Sequence, residues 1–146
     1  MESINYMQTL DSLIQQHGYT SLDECIELHS NEIFTDEVWL WRRKAALEEQ
    51  LPEIKAQDLH WLLSTVIERI IEKGGYAVSG GNDESEALLS QLQHLPKRSF
   101  AKQLAQYCLD HPDFGANGCG VWFESTLSPQ ECEQGLAEYR TRFLQD

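Results

Sequence analysis

Residues 58–73 carry apolar side chains at intervals of three and four positions, and this repeat constrains the fold more than any other feature of the chain. The spacing corresponds to one face of an α-helix, and the apolar face covers about half of the circumference. Asp58 can cap the N-terminus of this helix, and Gly74-Gly75 can end it. We therefore predict a central core helix with these residues facing inward: Leu59, Leu63, Val66, Ile67, Ile70 and Ile71.

Helical patterns recur along the rest of the chain, whereas the alternating pattern typical of strands is almost absent. Two helix starts carry a capping-box pattern: Ser21 with Glu24, and Ser128 with Glu131. The predicted fold class is all-α, a single acidic domain over residues 1–146 built as a bundle of about seven helices. The other six helices are predicted over residues 3–16, 21–29, 35–50, 83–94, 99–110 and from 128 onward.

Glycine-rich stretches mark two segments that the helical patterns do not cover. Residues 74–82 are predicted to be a flexible loop with Gly80-Gly81 at its tip. Residues 111–127 are predicted to be an irregular loop, in which 121–123 is the one candidate for a short extended piece. Three residues are too few to predict a strand.

The size of the chain and its cysteines indicate one domain that folds without staples. A chain of 146 residues can build a core without disulfides or metals. The N-terminus lacks the pattern of a secretory signal, and no apolar run is long enough to span a bilayer. We therefore expect a cytoplasmic protein with buried free thiols at its four widely spaced cysteines, Cys25, Cys108, Cys119 and Cys132.

The net charge of −13 is concentrated at the two ends of the chain. Residues 1–41 contain eight acids and no Lys or Arg, residues 42–102 contain nine of each sign, and residues 103–146 contain seven acids and two bases. Such a field repels nucleic-acid phosphates and anionic lipid, and it speeds encounter with a basic protein. If both acidic ends of the chain fold onto one side of the protein, they form one recognition face. If they lie on opposite sides, the acidity is expected to serve solubility.

No constellation of residues in the sequence predicts catalysis, so we expect no enzyme, cofactor or metal site. The histidines are scattered singly, and no glycine motif matches a phosphate-binding loop. Cys119 in its glycine-rich turn is the one candidate nucleophile, and it leaves a hydrolase as an alternative. Asp113 and Glu124 lie near it in sequence and disfavour a thiolate.

Two tryptophans lie among carboxylates on predicted helices and favour recognition of a basic partner. Trp41 is placed beside Glu37 and Glu48, and Trp61 in line with Glu68 and Glu72. An aromatic ring supplies contact area and a cation-π platform, while the acids attract the partner. The alternative is that each Trp packs against a neighbouring helix. The predicted partner-binding residues are Asp23, Glu24, Glu27, Glu32, Asp36, Glu37, Trp41, Glu48, Trp61, Glu68 and Glu72.

These features predict a protein that binds another protein, and they leave the kind of partner open. The first hypothesis is an immunity or antitoxin-type inhibitor, of the kind found in bacteria, that caps a basic toxin domain such as a nuclease. A structural or regulatory adaptor and an acidic mimic of nucleic acid are the alternatives. Direct nucleic-acid binding is not expected, because the basic clusters at 42–44 and 97–98 are short and pair more readily with local acids such as Glu48 and Glu49.

Overall fold

A computed structural model describes residues 10–116 and 120–143, and this part of the chain contains seven α-helices and a small sheet. A turn of 3-10 helix, Asn31–Phe34, follows the second α-helix. The mainly helical class is confirmed, but the all-α prediction is wrong in that the fold contains three β-strands. The elements in chain order are α1 (10–16), α2 (Leu22–Ser30), β1 (Val38–Trp39), α3 (Leu40–Gln50), α4 (Ala56–Glu72), β2 (Gly75–Ser79), α5 (Asp83–Leu92), α6 (Lys97–Asp110), β3 (Val121–Ser125) and α7 (Pro129–Phe143).

The predicted core helix is α4, and it packs against α2 and α6. It begins at Ala56, two residues before the predicted cap at Asp58. Its inward face differs from the prediction at two positions: Ile71 is only partly buried, and Leu62, which was not predicted, is completely buried. The fully or almost fully buried members are Leu59, Leu62, Leu63, Val66, Ile67 and Ile70.

The sheet has the strand order β1-β3-β2, and β3 pairs antiparallel with both neighbours. Phe123 stands opposite Val38 on one side and Ala77 on the other. Val38 and Phe123 are completely buried, so this inner face of the sheet belongs to the core. Because successive residues of a strand point to opposite sides, the residues next to these in sequence form an outer face.

Three predicted elements are wrong where the sheet forms, and one of them is the irregular loop predicted at 111–127, which contains β3. The helix predicted from Thr35 begins at Leu40, because Val38 is β-branched and pairs with β3 across more than 80 residues of sequence. The predicted flexible loop at 74–82 contains β2. Gly75 is required there for close packing, since a Cβ atom would lie 2.6 Å from Cγ2 of Ile70.

Local capping signals are confirmed at α2 and α7 and shifted at α5 and α6, as they are at α3 and α4. Ser21 Oγ accepts a hydrogen bond from the Glu24 amide at 3.1 Å. At α7 the capping box is complete: Ser128 Oγ accepts from the Glu131 amide, and Glu131 Oε1 accepts from the Ser128 amide. α5 is capped by Asn82 and not by Asp83, and α6 begins two residues before the predicted cap at Ser99.

The predicted first helix is described only over residues 10–16, and its earlier part lies outside the described residues. Leu10 and Ile14 are completely buried, as the predicted face requires. The chain then turns at Gly18, whose φ of +97° favours glycine. No helix in the described ranges is long and apolar enough to cross a membrane.

Candidate protein-binding surface

Several carboxylates predicted to bind a partner are bound instead by cations of this chain. Arg69 on α4 lies 3.5 Å from Asp23 and 3.7 Å from Glu72, and it also donates a hydrogen bond to Glu27. Lys73 lies 2.6 Å from the second oxygen of Glu27. This network joins α2 to the end of α4.

Glu27 and Lys73 are only slightly exposed, and their pKa values reflect their pairing. Burial on its own raises the pKa of Glu27, but hydrogen bonds and charges from Lys73 and Arg69 outweigh it and lower the pKa. The pKa of Lys73 is lowered because desolvation outweighs its attraction to Glu27. The Glu27 carboxylate is therefore ionised and compensated within the fold.

The other predicted acids on the helices are also engaged internally. Glu24 is buried, and its carboxylate accepts hydrogen bonds from the amide and hydroxyl of Thr20 at 3.3 and 2.8 Å. The expected pairing of Lys44 with Glu48 is present at 3.1 Å. Glu32 pairs with Arg43 at 3.0 Å, Glu68 with Arg98 at 3.5 Å, and Glu72 with Lys97 at 2.9 Å. A role for these acids in partner binding stays a prediction.

Asp36 and Glu37 have a different environment, in a groove between the 3-10 turn, the end of β3 and the start of α7. We call this the acidic groove, and its volume is about 790 Å³. The side chains of Phe34, Leu127 and Leu136 are partly buried and give it an apolar floor. Its described lining residues are Ile33, Phe34, Thr35, Asp36, Glu37, Glu124, Ser125, Leu127, Pro129, Gln130, Cys132, Glu133 and Leu136.

Four carboxylates line the acidic groove: Asp36, Glu37, Glu124 and Glu133. None of its described lining residues is basic, and no basic side chain in the described ranges forms an ion pair with any of the four. All of the lining residues come from the two acidic parts of the sequence, 1–41 and 103–146. The fold therefore brings these two acidic parts together at one groove.

The two tryptophans selected from the sequence lie elsewhere, and both are partly buried. Trp41 packs closely against the loop before β3, since a Cβ atom at Gly115 would lie 3.1 Å from the Trp41 Cβ atom. Trp61 packs against the core and separates two surface depressions, which share Thr65 and Arg69 as lining residues. The expected proximity of Trp41 to Glu37 on one helix is wrong, because Glu37 precedes β1.

A different pair of tryptophans lies on the outer face of the sheet beside the acidic groove. Trp39 and Trp122 are paired across β1 and β3, with ring centroids 4.7 Å apart. Each indole N–H donates to a carboxylate two residues away: Trp39 to Glu37 at 3.3 Å, and Trp122 to Glu124 at 3.1 Å. We call Trp39, Trp122 and Tyr76 the aromatic face.

Tyr76 completes the aromatic face and is 46% exposed. Its hydroxyl donates to the second oxygen of Glu124 at 2.8 Å. The hydrogen bonds from Trp122 and Tyr76 lower the pKa of Glu124, and the same contact raises the pKa of Tyr76. Sequence reasoning missed this arrangement because it placed Trp39 on a helix. The signal was the two-residue spacing of Glu37 from Trp39 and of Trp122 from Glu124, which places each pair on one face of a strand.

The described thiols are placed as follows, together with the acids and histidines that could bind a metal ion. Within the described ranges no group of three or more His, Cys, Asp or Glu side chains can hold a metal ion. Cys25 and Cys108 are buried free thiols as predicted, and burial raises the pKa of each to about 12. Cys132 was also predicted to be buried, but it is only partly buried and lines the acidic groove. The candidate nucleophile Cys119 lies outside the described residues.

Comparison with known proteins identifies neither a family nor a relative of this chain. No protein-family model, curated protein or solved structure matches this chain.

Proposed function

We propose that the protein binds a basic protein partner and neutralises it, in the manner of an immunity or antitoxin-type protein that caps a toxin domain. The acidic groove receives a positively charged segment of that partner. The observation that carries the proposal is the composition of the groove: both acidic parts of the chain line it, with four carboxylates and no basic residue among the described lining residues.

The groove combines the two properties that a basic segment requires. Its partly buried apolar floor supplies contact area from which water is displaced on binding. Its carboxylates repel one another until a cation lies between them, so a basic segment gains electrostatic energy on entering. The surrounding negative field raises the rate of encounter, and salt reduces that effect. Binding of this kind neutralises a basic surface without any chemistry.

Charge reversal in the groove, compared with a matched control, tests the proposal. Asp36→Lys with Glu133→Lys reverses two groove carboxylates. Glu49→Lys with Glu86→Lys reverses two exposed carboxylates on α3 and α5 that form no ion pair with a described residue. Both double variants have the same net charge, so a difference between them reports the groove and not the overall field.

The measurement is the dissociation constant of a protein captured from the native host by the wild type, determined by calorimetry at low and high salt. We expect a basic partner whose affinity falls as salt rises. The groove variant should weaken binding roughly 100-fold and the control less than about threefold. Thermal unfolding checks that both variants are folded. A neutral or acidic partner, or equal effects of the two variants, would contradict the proposal.

Producing the partner in cells with and without this chain separates an inhibitor from an adaptor. A toxin domain arrests growth when produced alone. Growth should return with the wild-type chain and with the control variant, but not with the groove variant. A partner that binds through the groove and is harmless alone would identify the protein as a structural or regulatory adaptor.

A further inference from the structure

The aromatic face lies directly beside the acidic groove, and its two indole N–H groups donate to Glu37 and Glu124, which line the groove. We infer that this face, together with those two carboxylates, binds an arginine side chain of the basic partner. The inference rests on the proposed function, because the same positively charged segment occupies the groove and places its arginine on the sheet.

The register of the sheet sets two like charges against each other. Val38 pairs with Phe123 and Trp39 with Trp122, and extending this register by one residue beyond β1 places Glu37 opposite Glu124. Like charges directly opposite each other across two strands are destabilising. In the described structure only neutral donors, the two indoles and the Tyr76 hydroxyl, bind these carboxylates through their side chains. A cation placed between them removes the repulsion.

The aromatic rings favour a guanidinium over an ammonium group. A guanidinium is planar, stacks on an aromatic ring and donates several hydrogen bonds in its own plane. It can therefore contact Trp39, Trp122 or Tyr76 with its face while its edge donates to Glu37 and Glu124. The ammonium of lysine is a strongly hydrated point charge, so it packs less well against the aromatic rings.

Continuity with the groove explains how the side chain reaches this position. Glu37 and Glu124 line the groove near the end of β3. Trp39 and Trp122 are each two residues away from one of these carboxylates, on the side away from the groove. A segment in the groove therefore needs only one side chain directed along the outer face of the sheet. The groove attracts any basic segment, and the aromatic face selects those with arginine at this position.

Two synthetic peptides of equal charge test the inference on the intact protein: amidated hexa-arginine and amidated hexa-lysine, each with a fluorescent label. Fluorescence anisotropy gives their dissociation constants for the wild type and for three variants. Trp122→Leu removes one ring and keeps an apolar strand residue, and Tyr76→Leu removes a second ring from a side chain that is 46% exposed. Asp36→Asn with Glu133→Gln, the groove variant, neutralises two of the four groove carboxylates, and Glu49→Gln with Glu86→Gln is its control.

The wild type should bind hexa-arginine roughly threefold to fivefold more tightly than hexa-lysine. Trp122→Leu and Tyr76→Leu should reduce this preference, whereas the groove variant should weaken both peptides by the same factor. In the wild type, nitrogen-15 NMR should show the indole N–H signals of Trp39 and Trp122 shifting more with hexa-arginine than the signal of Trp61. That readout does not depend on the folding of any variant.

The outcomes distinguish the inference from the proposed function. Equal affinity for the two peptides, or Trp39 and Trp122 signals that do not move, overturns the inference. The proposed function then still stands if the groove variant weakens both peptides more than its control does. If the groove variant and its control have equal effects, the groove is not the binding surface and both proposals fail.

Discussion

Two acidic regions of this molecule look alike in the sequence and differ in the fold. On α2, Asp23, Glu24 and Glu27 are each bound by a side chain of the same chain. In the acidic groove no cation of the described residues pairs with the carboxylates. Net charge therefore does not identify the acids that are available to a partner. An acid is available only where the fold places no base beside it.

The compensated region on α2 results from two matching spacings. Asp23 and Glu27 are four residues apart on α2, and Arg69 and Lys73 are four residues apart at the C-terminal end of α4. Positions four apart lie on the same face of a helix, and α2 packs against α4. Two acids therefore meet two bases. The groove has no such match, since its walls come only from the acidic parts of the chain.

His29 lies at the end of α2, in the compensated region, and makes the stability of that region depend on pH. Its buried ring lies with Nδ1 3.3 Å from Nη1 of Arg43 and Nε2 3.0 Å from Oε1 of Gln50. Burial, and next the charge of Arg43, lower its pKa from 6.5 to about 4. Protonation thus favours the unfolded chain. The stability that the neutral His29 ring allows is fully present above pH 6.5 and is lost as the pH falls towards 4.

The largest expected effect is therefore a loss on the order of 3 kcal/mol from this one group between pH 7 and pH 4. Urea unfolding of the wild type and of His29→Gln measures it, because the variant should lack this part of the pH dependence. His94→Gln, at an exposed position, is the control. A pH dependence that is identical in wild type and His29→Gln would show that His29 does not carry it.

Removing Arg69 should be the next largest effect, because it leaves Glu27 and Asp23 with less compensation. Arg69→Met is expected to lower the free energy of unfolding by about 2 kcal/mol, less than for a fully buried pair because solvent screens part of the network. Arg98→Met is the matched control: it removes an ion pair with Glu68 in which the arginine side chain is 74% exposed, and it should cost less than about 1 kcal/mol. Equal losses in urea unfolding would mean that the network on α2 contributes no more than a surface pair.

The parts of the fold that could be predicted from the sequence depend on residues close together in the chain. The N-cap at Ser21, the capping box at Ser128 and the apolar face of α4 each involve positions within a few turns of one helix. β1 and β2 could not be predicted in this way. Their partner is β3, and the two residues of Val38–Trp39 carry too short a pattern to distinguish a strand from the first turn of a helix.

The candidate site follows the same division. Asp36 and Glu37 were predicted as partner-binding residues from the base-free N-terminal part of the chain, whereas Glu124 and Glu133 were not. These two join the groove only because β3 pairs with β1 and α7 returns along the 3-10 turn. The internal pairing of Glu27 was missed for the same reason, since Arg69 and Lys73 are more than 40 residues away in sequence.

Neutralising the groove carboxylates should give the smallest effect, and neutralising Glu27 on α2 provides the clearest comparison. Glu27→Gln is expected to destabilise the protein, because it leaves Arg69 and Lys73 partly buried without their acceptor charge. Asp36→Asn with Glu133→Gln should change the free energy of unfolding by no more than about 0.5 kcal/mol, and in the stabilising direction, since it removes repulsion and no internal ion pair. Added salt should reduce that small gain, because it already screens the repulsion in the wild type. If the groove variant is destabilised as much as Glu27→Gln in urea unfolding, the groove carboxylates serve the fold and are not held available for a partner.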